Sequence, residues 1–106
     1  MLFSPECRIE RIQLIEQAFK EKVPALYKVL KASGNLKHFL ESHEEAMMDS
    51  FIKAYGEASM KILQNNMDNE KMVLSLKMAI NKVWHETLDV WLAFSTILWR
   101  RNPHNP

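Results

Sequence analysis

Residues 73–98 read VLSLKMAINKVWHETLDVWLAFSTIL, and this stretch decides the fold class. Val73, Leu76, Ile80, Val83, Thr87, Val90, Phe94 and Ile97 follow one another at steps of three and four without a miss. That period puts them on one face of an α-helix, since about 3.6 residues complete a turn. At about 1.5 Å per residue, a helix running to Leu98 and beyond is roughly 45 Å long, far more than the ~13 Å radius of gyration of a compact 100-residue domain. Such a helix projects from its bundle unless a second copy covers it.

A second stripe lies beside the first. Trp84, Trp91 and Leu98 are spaced by seven, with Leu88 between the tryptophans. Two readings stand open. The stripes form one broad core face, or Trp84, Leu88, Trp91 and Leu98 anchor a partner, as aromatic side chains do at interfaces. The second reading makes the chain a homodimer through its C-terminal helix.

Working outward toward the N-terminus, the pattern stays helical. Only Gly34 and Gly56 are present, and no Asn-Gly or Asp-Gly pair is available to turn a hairpin. Ser4-Pro5-Glu6 reads as a helix start, followed by Ile12, Ile15 and Phe19 at helical spacing. Pro24 interrupts that helix and opens a second, with Leu26, Tyr27, Val29 and Leu30; Ser33-Gly34 ends it. Asn35 to Glu41 reads as a short helix. Ser42 and Glu45 match a capping box, which predicts a new long helix to about Gln64 with Met47, Phe51, Ala54, Ala58 and Ile62 on one side. Gly56 and its small neighbours Ala54, Ala58 and Ser59 let another helix approach closely. Asn65 to Asn69 is the clearest loop, with Asp68 or Asn69 capping the final helix. The expectation is one all-α domain over residues 1–106, with four main helices and one short one. Residues 1–3 and 100–106 are expected to fray.

Composition excludes several function classes. The 106 residues suit a single core. The net charge of +1 gives no field of one sign for phosphate neutralisation. One cysteine allows neither a disulfide framework nor a Cys-based zinc site. The most apolar run, Val90 to Trp99, is about half of the ~20 residues a spanning helix requires, so no membrane span is expected and the cytoplasm is the expected compartment.

Chemistry-bearing residues are sparse. His85 and Asp89 stand one turn apart without a third ligand, and no histidine has a glutamate three residues before it, as a di-iron bundle requires. Glu41, Glu44, Glu45 and Asp49 crowd the start of the long helix, where the dipole favours acid. Cys7, in the first turn of a helix, has no base near it in sequence. Phosphate-loop, dinucleotide and nucleophile-elbow patterns are missing. No enzyme, cofactor or metal is expected.

Charge is blocked rather than even. Lys20, Lys22, Lys28, Lys31 and Lys37 face only Glu21 before His38, whereas Glu41 to Asp49 carries four acids. A basic helix, a Ser-Gly turn and a following helix suggest an alternative: DNA binding through Lys28, Lys31, Lys37 and His38. The acids that follow oppose it, as does the lack of an arginine in the reading segment. Six methionines from Met47 to Met78 suit a core and also an adaptable binding surface.

Pro24-Ala25-Leu26-Tyr27, Leu30, Ser33-Gly34, Leu36, Leu40 and Glu45-Ala46 together resemble the small transposon-encoded proteins of the TnpV type. Those share a Pro-x-Leu-Tyr, Ser-Gly-x-Leu, Glu-x-Ala progression ahead of a terminal amphipathic helix. The likeness spans Pro24 to Leu92; the tryptophans from Trp84 onward and Arg100-Arg101 depart from it. It implies a helical accessory protein carried on mobile DNA, without catalytic residues. The functional expectation is a non-catalytic interaction or regulatory protein that pairs with itself or with another protein.

Overall fold

The computed structural model describes residues 7–65 and 67–94. Four helices follow in order: α1 (Arg8–Lys22), α2 (Pro24–Ser33), α3 (Leu36–Leu63) and α4 (Asn69–Trp91). The expected Ser4-Pro5 start, the tails and Leu98 lie outside the described residues.

Local chemistry sets most boundaries. Cys7 is the N-cap of α1, and its backbone N–H donates to Glu10 Oε1 at 3.2 Å in a reciprocal box. Pro24 stops α1, with Val23 at φ −135°, and becomes the first residue of α2. Gly34 at φ +83° closes α2; the Asn35 N–H reaches back to the Leu30 carbonyl at 3.0 Å, taking a carbonyl that the helix end leaves free. Asp68 caps α4, its Oδ1 accepting from the Lys71 N–H at 2.9 Å.

Two expectations need correction. The short helix at Asn35–Glu41 and the long one after Ser42 are a single 28-residue helix. The capping box at Ser42 does not form, because α3 runs through Ser42 without a break; the Glu45 carboxylate binds Arg8 Nη2 at 3.1 Å instead. Glu44, beside it and 3% exposed, accepts from Arg8 Nε at 3.1 Å and Arg11 Nε at 2.8 Å, which fastens α1 across α3.

The second correction concerns α4. It has 23 residues, about 35 Å, and ends at Trp91 instead of running on through Ile97. Leu92 is its C-cap, and Phe94 adopts φ +43°, turning its ring inward. Phe94 stacks on His43 (centroids 4.8 Å) and leans on Phe19 (5.1 Å). His43 Nε2 donates to the Trp91 carbonyl at 2.8 Å and thereby replaces a donor that further helix would supply. An aromatic core outweighs another turn of helix here.

α3 and α4 pair antiparallel, fixed by His43 against Trp91 at one end and Phe51 edge-on to Trp84 (5.1 Å) further along. α1 and α2 pack on the first half of α3, with Phe19 against Phe39 at 4.7 Å and edge-on to Tyr27 at 6.2 Å. The core therefore gathers where Ile15, Phe19, Leu40, Met47, Trp84 and Phe94 meet. The molecule extends 55 Å along its longest axis, since the α3–α4 hairpin runs beyond α1 and α2.

Candidate interaction surface on the distal hairpin

The expected partner anchors are core or near-core residues. Trp84 is 5% exposed against Phe51, and Leu88 and Trp91 are half-buried against the same core. For these three the broad-core-face reading describes the packing within one chain; Trp84 keeps almost no surface for a partner, whereas Leu88 and Trp91 keep part of theirs. Leu98 is outside the described residues.

A barer surface emerges along both helices of the hairpin. On α4, Val73, Ile80 and Trp84 share one line, spaced by seven and four. Their exposure falls from 51% at Val73, through half-buried Ile80, to 5% at Trp84. On α3, Glu41, Glu44 and Glu45 lie on the flank that α1 covers: Glu41 lines the groove between the two helices, and Glu44 and Glu45 hold Arg8. Continuing along this flank by threes and fours gives Met48, Ile52, Gly56, Ser59 and Leu63. Beyond α1 it opens: Ile52 is 62% and Leu63 52% exposed, and Leu74 and Met78 of α4 are bare as well. A Cβ at Gly56 would meet nothing within 4 Å. The sequence reading placed α3's apolar side at Met47, Phe51, Ala54, Ala58 and Ile62, which are buried or half-buried. It marked Gly56 and Ser59 for close helix approach but missed Ile52 and Leu63, eleven residues apart on the same face with the two small residues between them.

The methionines divide in the same way. Met47 is fully buried, whereas Met60 and Met78 are exposed. Charges on the distal half are mixed in sign: Lys53, Glu57, Lys61, Glu70, Lys71 and Lys77.

Lys28 and Lys31 lie on exposed positions of α2, with the Lys31 ammonium 5.8 Å from the Tyr27 ring centre and Lys20 equally close. The Tyr27 hydroxyl donates to Glu16 Oε2 at 2.9 Å, and this carboxylate raises the phenol's pKa above its ordinary value of 10.0. Lys37 instead lines the groove between α1 and α3, whose walls also include Glu16, Glu41, Ile9, Ile12, Leu36 and Leu40. His38 is exposed on the first turn of α3. The basic residues therefore do not form one uninterrupted strip.

His43 is also shifted by its surroundings. Burial lowers its pKa from 6.5, opposed by its bond to the Trp91 carbonyl. His85 Nδ1 donates to the Asn81 carbonyl at 2.8 Å, one turn back on its own helix. Among the described residues no three His, Cys, Asp or Glu side chains converge on a point that would hold a metal ion, and no helix is long and apolar enough to cross a membrane. Comparison with protein-family models, curated proteins and solved structures found no match for the chain.

Proposed function

We propose that this chain is a non-catalytic interaction protein that receives a helical protein partner on the distal half of its α3–α4 hairpin. The observation that carries this reading is the exposure gradient. On both helices the lines that are sealed by α1 or by the aromatic core continue toward the tip as bare Ile52, Leu63 and Val73. A two-helix layer buries only one side of each helix, so apolar side chains on the outer sides call for a further layer. Flexible Met60 and Met78 let that surface adapt to a partner helix. The TnpV-like progression of residues 24–92 supports an accessory role on a mobile element.

DNA binding has less behind it. Lys37 shares its groove with Glu16 and Glu41, and the α3 segment after His38 carries Glu41, Glu44 and Glu45.

Site-specific photo-crosslinking in cells tests the proposal. A benzophenone side chain at Ile52 or Leu63 is expected to give protein adducts, and the same group at exposed Val29 of α2 none. Adducts only from position 29, or none from 52 and 63, would overturn the reading.

A further inference from the structure

The surface just described also specifies its occupant, and this step rests on that reading. We infer that the partner is a second copy of the chain, stacked antiparallel so that the two distal hairpins form a four-helix bundle about a two-fold axis near Gly56.

Three observations lead there. The first is area. Ile52, Met60, Leu63, Val73, Leu74 and Met78 are each more than half exposed. At ~200 Å² for a large apolar side chain in the open they present roughly 600–700 Å². A standard interface takes about 800 Å² per partner, a little over half of it apolar, so two-thirds of this surface on the contacting face is enough. The second is charge. The distal half mixes lysines with glutamates, so a copy meets neither a uniformly like-charged surface nor a strong field selecting an acidic or basic stranger.

The third is shape, which sets the direction. α1 lies on the same flank of α3, at Glu44 and Glu45, and leaves only the distal half open. Two copies stacked with their tips together would drive α1 against α1. Turned end for end, each distal half fits the open half of the other. Each tip then ends at the start of the other copy's α1, where Ile9 stands 69% exposed. Both copies use the same patch, as a closed two-fold interface requires. Gly56 and Ser59 are small enough to let the two α3 backbones come close, a role nothing within the chain gives Gly56.

The test uses the purified full chain. Sedimentation equilibrium is expected to show a dimer at micromolar concentration, and Ile52→Glu or Leu63→Glu a monomer with undiminished helical circular dichroism. In a Cys7→Ser background, Gly56→Cys on the axis is expected to form a disulfide-linked dimer on mild oxidation, because only a residue at the axis meets its own copy within disulfide reach. Gln64→Cys, at tips that point in opposite directions, is expected to remain a monomer on denaturing gels. Linkage at Gln64→Cys as readily as at Gly56→Cys would overturn the antiparallel arrangement. A wild-type chain that stays monomeric at high micromolar concentration would overturn the dimer itself. Adducts of a different mass from position 52 would in that case leave the interaction reading standing, and their absence would remove both.

Discussion

His43 connects three parts of the molecule through one ring. Its plane stacks on Phe94 and Phe39, its edge meets Trp91, and its Nε2–H holds the last carbonyl of α4. Burial keeps its folded-state pKa below the 6.5 of an open histidine. The unfolded chain therefore takes up a proton first as the pH falls, and folding stability declines from about pH 6.5 downward. Unfolding midpoints measured between about pH 7.5 and 5.5 are expected to fall for the wild type. His43→Gln keeps an N–H donor without a titrating ring, so its midpoints should vary less over the same range. An equal slope in both proteins would show that His43 does not set it. Trp84→Ala tests the other end of this core. It removes a large ring from against Phe51 and is expected to cost about 3–5 kcal/mol in chemical denaturation, more than an interface anchor would cost an isolated monomer.

At the scale of the helices, what was legible in the sequence is what local backbone chemistry decides. Pro24, Gly34 and Asp68 act through their own rings, torsion angles and side chains, and the boundaries they mark are those observed. Ser42 and Glu45 spell an equally good local start, but the helix from Leu36 runs straight through them while Arg8, from α1, holds Glu44 and Glu45. The end of α4 was hidden for the same reason: the three-four pattern continues through Ile97, while Phe94 and His43 stop the helix through contacts across the fold. Cap strength is directly measurable. Asp68→Ala should destabilise by about 1 kcal/mol, seen as a lower denaturation midpoint. Gly56 offers a sharper test, because its helical position is open to solvent within one chain. For a lone chain Gly56→Ala is expected to add up to about 1 kcal/mol of stability, a rise of roughly 4–8 °C in Tm. In the stacked dimer the added methyl groups sit between the two α3 backbones, so the same variant should dissociate more readily. A higher Tm in dilute solution combined with weaker sedimentation dimerisation is the expected pair of results.

On the scale of the whole chain, the molecule has two unequal halves. Its radius of gyration is 17.0 Å, against about 13 Å for a compact domain of this length. The sequence suggested a helix too long for its bundle, and the structure moves that excess: α4 is shorter than expected, and the projecting element is the α3–α4 hairpin as a pair. Trp84 lies too deep in the aromatic core to be an exposed anchor, and six of the nine bare large apolar residues described lie on the distal hairpin, with Ile9, Val29 and Val90 elsewhere. That distribution was not legible, because helical periodicity identifies a face without telling which of its turns another helix will cover. Stability should follow the same division. The proximal half combines four helices around Phe19, Met47 and Phe94, so its amides should exchange only through global unfolding. Residues 57–63 and 69–78 have one neighbouring helix each and should open locally at lower cost. If a second copy completes that half, opening requires dissociation, and protection there must rise with concentration by mass action. Hydrogen exchange followed by mass spectrometry, in dilute protein and at roughly a hundredfold higher concentration, should show slower exchange in the distal peptides, by up to ~1.4 kcal/mol in opening energy for a dimer whose two chains release together. Residues 39–47 and 84–91, which exchange through global unfolding, gain by the same mass action, so the distal peptides carry the decision. Distal protection that is the same at both concentrations would mean that the hairpin stands on its own two-helix contacts, with its apolar flank turned to water.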